Sequence, residues 1–426
     1  MKFLVVIVTL CVAHGIHGQG LIGSLVGGAT NVIGNILGGG RNDPCSRNVI
    51  EDYREAQSHF FKTLYAKVAA RSDNHFVFSP ITIWLSLSAL AEGAEPIVQS
   101  QVLTSLSLPQ EKCIRNKFYE IALRVEESGR DVSFERRRCL VIDEFLEVNP
   151  TWSKYVTNYG LLAVVAAPIK SSPEATSERL KKFLETRFDI NFKGNSILID
   201  RLDYEGLWST AFDDSNTYKA PFYNDLGVQI GTVDMMKAKK YVRVAHVPFM
   251  HTKVLELPVG FKGRYTMLIV VGTGNNILKN AFELFLGSIF KVLSLLQMSL
   301  VPVEIEVPKF TMSSEFDVRI ALEEMGIDGF WNDPAATGYV SKPAALPGNF
   351  IQHTSVKIDS GGVDPVSPSK GGLLPGLVDL AANTASDVAS AVGHNFVANR
   401  PFMYALLETK TQTCIFAGAF ARPTVR

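Results

Sequence analysis

The sequence predicts a mixed α+β fold with a large buried core. Three observations carry this reading. Amphipathic stripes at helical spacing recur along the chain. Apolar or alternating runs of strand length lie between them. The two kinds of segment follow no regular strand–helix–strand rhythm, which argues against a doubly wound sheet. With 426 residues, 46% of them hydrophobic, the chain has the material for such a core. Length alone suggests two or three domains. The 42 basic and 42 acidic side chains balance, so composition points to neither a nucleic acid nor an acidic partner.

The first element is MKFLVVIVTLCVAHGIHGQG. Lys2, an apolar run over 3–12 and small residues up to Gly18 have the order of a secretory signal peptide, expected over 1–18. The run is too short to span a bilayer. The expectation is a secreted, extracellular, soluble protein. Removing the signal removes Cys11 and leaves Cys45, Cys113, Cys139 and Cys414. Four cysteines in an oxidising compartment permit three pairings, and buried free thiols are an equally open reading of such wide spacings. No Asn-x-Ser/Thr acceptor occurs. Residues 19–47 form a Gly-rich arm, and the globular part, 48–426, starts near Asn48.

Within it, DYREAQSHFFKTLYAKVAA puts Tyr53, Ala56, Phe60, Leu64 and Val68 on one helical stripe. SERLKKFLETRF does the same with Leu180, Phe183, Leu184 and Phe188. The segment 281–296 reads as a mostly buried helix. TMLIVV, 266–271, is a fully apolar strand. VPVEIEV alternates, with Val301, Val303, Ile305 and Val307 on one face, and CIFAGAF closes the chain as a strand. No nucleophile elbow, zinc-protease helix, phosphate-binding loop or dinucleotide Gly pattern is present, so no catalytic residue, metal or cofactor is expected. The scattered His residues read as structural or surface groups. The basic run FERRRC, 134–139, reads as a solvated face, with a polyanion site as the alternative.

Several stretches then become recognisable in order. FVFSPITIWLSLSALAEGA, 76–94, resembles the opening of the serpin family, where a Ser-Pro starts a buried helix. LIDRLDYEGLWSTAFDDSNTYKAPFY resembles its strand-and-breach segment, with Trp208, Phe212, Thr217 and Phe222 in place. VDMM, VLELP and VPKFTMSSEFDVRIALEEMGIDGFW follow in the family's order. NRPFMYALLETKTQTCIFAGAFARP resembles its C-terminal signature. The resemblance covers 48–426. It implies a serpin fold with three β-sheets, eight or nine helices and an exposed reactive loop, here about 362–393. In inhibitory members a protease cuts that loop, which then inserts as a new central strand and drags the acyl-enzyme away.

Insertion sets demands that the residues here do not meet. A central strand uses every N–H, and Pro has none. Where the family has a Glu-Glu-Gly-Thr hinge and then small residues, this chain reads SGGVDPVSPSKGG. Gly362 fits the hinge Gly and Val363 replaces Thr. Asp364, Pro365, Pro368 and Lys370 stand where the small run belongs. The scissile bond falls near Gly376 and Leu377 counting from the hinge, or near Ser390 counting back from Phe396. In the sheet beneath, the family's buried Asn corresponds to Asp200 and its His to Gln352, while Ser79 and Thr82 keep the local pattern. A small pair on the neighbouring strand corresponds to Arg136 and Arg137, which is costly unless the arginines are paired.

A second feature is internal. LLPGLVDLAANTASDV, 373–388, resembles LIGSLVGGATNVIGNI, 21–36, with Leu21, Leu25, Val26, Ala29 and Asn31 recurring as Leu373, Leu377, Val378, Ala381 and Asn383. Two amphipathic segments suit self-association or contact with a protein or lipid surface; chance similarity is the plain alternative. The functional expectation is a non-inhibitory secreted protein with a binding, carrier or structural role, not an enzyme. The alternative is a suicide-substrate inhibitor of an extracellular serine protease.

Overall fold

The computed structural model describes residues 44–186, 190–274, 277–364 and 395–423. Helix α1 (Ile50–Ala69) and strand β1 (Phe76–Phe78) lead to α2 (Pro80–Ala91) and α3 (Lys112–Val125). Strands β2 (Val132–Asp143) and β3 (Ala163–Ala167), helix α4 (Pro173–Leu184) and strand β4 (Ser196–Leu207) follow. Next come β5 (Tyr218–Tyr223), β6 (Gln229–Lys240), β7 (Arg243–Val247), β8 (Thr252–Val259), β9 (Tyr265–Gly272) and α5 (Ile277–Leu295). The chain ends with β10 (Val303–Pro308), β11 (Phe310–Asp317), β12 (Pro347–Ile358), β13 (Gly362–Asp364), β14 (Asn395–Val397), β15 (Phe402–Glu408) and β16 (Cys414–Phe420).

These strands form three main sheets. A seven-stranded sheet runs β1-β16-β15-β9-β8-β7 and ends on the short strand Gln297–Met298. A four-stranded sheet runs β14-β10-β6-β5. A six-stranded sheet runs β11-β12-β13-β4-β2-β3, with β12 also paired directly to β4. Ser341–Lys342 and Glu147–Val148 make a further two-stranded ribbon.

The sequence patterns dictate which faces are buried. The α1 stripe of Tyr53, Ala56, Phe60, Leu64 and Val68 is buried, as a period of 3.6 requires. Helix α2 starts with Pro80 at its first position, follows an extended Ser79 and is buried on every side, so it is a core helix. Strand β9 is buried throughout, and β10 alternates, with Val303, Ile305 and Val307 inward. Val301 lies outside β10. The last long helix begins at Ile277 rather than 281; Ala281 and Leu284 are buried, while Leu295 is exposed at its end. Leu180, Phe183 and Leu184 of α4 cover the outer face of the six-stranded sheet, against Ile197, Ile199 and Ile351. Its inner face packs on the seven-stranded sheet through Leu202, Tyr204, Tyr265 and Phe416.

Of the pairings the cysteine count allowed, Cys45 bonds Cys113, tying the chain ahead of α1 to helix α3. Cys414 is a buried free thiol, and burial pushes its pKa well up. Residues 1–18, expected as a signal segment, nearly all of the arm, Phe188 and the similar segments 21–36 and 373–388 lie outside the described residues.

Candidate functional site

The site follows the seam between β4 and β12. These two strands run parallel, with Phe350 opposite Leu198 and Ser355 opposite Asp203. Strand β13 enters the seam from its upper end, antiparallel to both neighbours. Gly362 and Val363 face Leu207 and Gly206, while Val363 and Asp364 face Ile358 and Lys357. The hinge residues are therefore already a short central strand. Val363 is fully buried, which anchors the strand by its apolar side chain. Gly362 is demanded by a close approach: a Cβ there would lie 2.2 Å from the Gly206 carbonyl oxygen and 2.9 Å from Leu207 Cα.

The turn before β13 is held from several sides. Asp359 donates its N–H to the Gly362 carbonyl at 3.0 Å, closing the turn. The Trp208 indole donates to the Asp359 carbonyl at 2.8 Å, and its backbone N–H donates to Gly361 at 3.0 Å. Phe212 N–H donates to Ser360 O, and the Ser360 hydroxyl donates to Asp214, which also pairs with Lys309. Lys240 sits 4.1 Å over the Phe212 ring and donates to the carbonyls of Thr210 and Ala211. Burial pulls its ammonium down to about 8.

Half-way down the seam lie the other sequence-chosen residues. Ser79, Thr82, Asp200 and Gln352 are all buried and meet in one network. The two hydrogens of Gln352 Nε2 are shared among Asp200 Oδ2 at 2.9 Å, Thr82 Oγ1 at 2.9 Å and Ser79 O at 2.8 Å, while its Oε1 accepts from Ser79 N–H at 3.0 Å. The Ser79 hydroxyl donates to Ile415 O on β16. The two changed positions thus bond to each other and to the two retained ones. Trp208 stands apart, at the hinge. Pro365, Pro368, Gly376, Leu377 and Ser390 lie outside the described residues.

Burial pushes the Asp200 carboxyl up to about 6; Arg138 and the hydrogen bonds from Thr82 and Gln352 work against that, and Glu126 adds to it. These charges form one buried cluster. Arg138, opposite Asp200 on β2, donates to both Glu126 oxygens at 2.9 and 2.7 Å, and to the carbonyls of Leu161 and Gly160. Arg136 reaches Glu126 at 3.4 Å. The reading of FERRRC as a solvated face is therefore corrected. Arg138 is buried and Arg136 half-buried, because Glu126 folds back beneath them, and Arg137 is half-buried on the other face. On the outer face Arg137 pairs with Glu135 at 2.6 Å and Glu185 at 3.5 Å, and Arg201 pairs with Asp203 at 2.7 Å and Glu185 at 3.1 Å. His353 meets Glu315 at 2.8 Å. Glu126 and Arg201 were not singled out from sequence, and Arg138 was read only as part of the basic run 134–139. The only local signal of the two arginines is a run of charges within strands that are otherwise apolar; Glu126, at the end of α3, lies in no strand.

A short strand thus enters between two parallel strands, beside a turn held by Trp208. The family model for "Serpin (serine protease inhibitor)" covers residues 55–423. The chain belongs to the serpin family. Human Serpin B9 is 22% identical over 391 residues, spanning 88% of this chain and all of that protein. The mouse protein Z-dependent protease inhibitor is 23% identical over 387 residues, spanning 86% of this chain and 81% of that protein. Among solved structures, human thyroxine-binding globulin complexed with thyroxine superposes with a TM-score of 0.74 at 17% identity, over 89% of this chain and 100% of that one. The three main sheets and the α+β architecture are those of the serpin fold.

Proposed function

We propose that this chain is a secreted, non-inhibitory serpin, serving a binding, carrier or extracellular structural role rather than acting as a catalyst. The observation that carries the reading is the fixed register of β13. Because β13 is paired on both sides, that register assigns a destination to every residue that would follow it into the seam. Pro365 would go between Tyr204 and Val356, and Pro368 between Arg201 and His353. Ser369 would arrive between Asp200 and Gln352, and Lys370 between Ile199 and Ile351, beneath α4.

Each Pro removes one ladder N–H and orphans a buried carbonyl, at roughly 1–3 kcal/mol apiece. Lys370 would carry an ammonium into the apolar cluster of Ile199, Ile351 and Phe183, a cost of several kcal/mol without a counter-ion. These three terms oppose insertion at successive points on the same path. The secreted assignment rests on residues 1–18.

The inhibitory alternative has one specific observation in its favour: Gly362 and Val363 already occupy the top of the seam. A thermal melt before and after a single elastase nick within 370–390 decides between the two. An unchanged melting temperature supports the non-inhibitory reading. A large rise would mean that the cut loop inserts, and would turn the search to a covalent protease adduct.

A further inference from the structure

The seam between β4 and β12 is closed by few side chains. At its lower end Asn195 spans to Ala344 and Leu346, and Asn349 accepts from the Lys193 N–H. At its upper end the hinge strand intervenes. Between the pairs Phe350–Leu198 and Ser355–Asp203, one side-chain hydrogen bond crosses the seam among the described residues: Gln352 to Asp200, at 2.9 Å. The acceptor is a carboxylate with no solvent exposure, and its Oδ1 has no hydrogen-bond partner among the described residues. An ionised Asp200 is thus a buried charge with one oxygen unsatisfied, which is a costly arrangement.

We propose that Asp200 is a proton-operated latch on the main sheet: protonated, it lets the β4–β12 seam close tightly, and ionised, it loosens that seam. The proton removes the buried charge and supplies Asp200 with a donor of its own while Gln352 keeps its contact. Losing the proton places a second carboxylate in the pocket of Glu126.

The groups that face Asp200 define the balance. From β2 come Arg138 and Arg136, from the end of α3 comes Glu126, and from β12 comes the neutral Gln352. The start of α2 contributes only the neutral Ser79 and Thr82. Both arginines are already committed to Glu126, so neither bonds Asp200 directly. The other ionisable groups of this region, Arg201, Asp203, His353 and Glu315, belong to the opposite face of the sheet.

The direction in pH follows. Burial raises the Asp200 carboxyl from 3.8 to about 6. The folded seam therefore holds the proton more tightly than the open one. Its contribution is full below about 4 and is lost as pH rises through about 6. A difference of about two units corresponds to about a hundredfold in the closed-to-open ratio.

The test uses the full chain and its Asp200→Asn variant, an uncharged counterpart of the protonated acid. Amide hydrogen exchange in β4 and β12 is measured at pH about 3.5 and about 7.5 and corrected for intrinsic rates. The two proteins should exchange alike at the lower pH. At the higher pH the unmodified protein should open up to about a hundredfold more readily. An equal wild-type to variant ratio at both values overturns the proposal.

Should the variant fail to fold, the unmodified protein still decides. Titrated downward through about pH 6, it must gain the infrared carbonyl band of a buried protonated carboxylic acid, and a band that does not appear sinks the latch. The latch concerns the uncut chain. A melting-temperature rise after loop cleavage would overturn the non-inhibitory reading and leave the latch standing.

Discussion

Replacing Arg138 with Met removes the cation at the centre of the inner-face cluster and keeps most of the volume. The structure sets the size of the effect. Arg138 and Glu126 are buried, and Glu126 accepts from Arg138 through both oxygens. Breaking a buried pair by removing one partner costs about 3–5 kcal/mol, because the remaining charge is stranded. Here the stranded groups are two, Glu126 and Asp200, and Arg136 at 3.4 Å from Glu126 compensates only in part. The loss should fall at the upper end of that range. The assay is guanidinium unfolding followed by tryptophan fluorescence and far-ultraviolet dichroism, read at the first transition, for Arg138→Met, Glu126→Gln and the double variant. The double variant should be more stable than the sum of the single losses predicts, by at least about 2 kcal/mol, since removing both partners no longer strands Glu126 against Arg138. A cost below about 1 kcal/mol for Arg138→Met, or a coupling near zero, would refute the account of the cluster.

Three further outcomes follow from named contacts. Gly362→Ala cannot keep its place against the Gly206 carbonyl, so β13 should leave the seam; hydrogen exchange at Val363 and Asp364 should become fast while that of β9 stays slow. Cys113→Ser opens a link between residues 68 apart in sequence, and the chain-entropy relation gives a loss of about 4 kcal/mol in guanidinium unfolding. A loss under about 1 kcal/mol would show that the arm is held by packing alone. The Pro365→Ala/Pro368→Ala double variant restores two ladder donors, so a nick within 370–390 should raise its melting temperature more than that of the parent. No difference would move the obstacle to Lys370 or to the seam itself.

Much of the fold was legible because the patterns that encode it are local. Tyr53, Phe60 and Leu64 repeat at helical spacing, the run 266–271 is wholly apolar, and Ser79 with Pro80 marks the start of a core helix. The hinge was legible through Gly362, which nothing with a Cβ replaces. What the sequence hid depends on residues distant in the chain. Arg136 and Arg138 read as surface until Glu126, at the end of α3, comes back under β2. The resemblance implies an Asn–His hydrogen bond at positions 200 and 352, and Asp200 with Gln352 reads as its loss. In the fold an acid and an amide make one bond across 152 positions. Compensation of that kind is invisible to spacing, because each partner is unremarkable in its own segment.

The same bond connects the two proposals physically. For the sheet to accept a strand, β4 and β12 must part along their parallel ladder, and Asp200–Gln352 is the side-chain bond to be broken on the way. The outer-face pairs do not resist that motion. Arg201 is bound to Asp203 and Glu185 on the β4 side, and His353 to Glu315 on the β12 side, so each set travels with its own half of the sheet. Arg201 even opposes protonation of its neighbour across the seam: burial, and then the Arg201 charge, hold the His353 imidazole below its ordinary value. The sheet is thus divided into two separately paired halves, fastened in the middle by one titratable contact. Opening at neutral pH would relieve the buried Asp200 charge, yet the residues queued at the hinge are Pro365, Pro368 and Lys370. Taken together, the two proposals put a seam prepared to open beside a loop unfit to fill it, which would suit a strand supplied from elsewhere, or a sheet whose opening changes what the surrounding surface binds. Adding a loop-like peptide of small residues to the intact chain distinguishes these. Uptake that rises with pH through about 6 would show the seam is competent, and no uptake at any pH would confine the effect of opening to the surface.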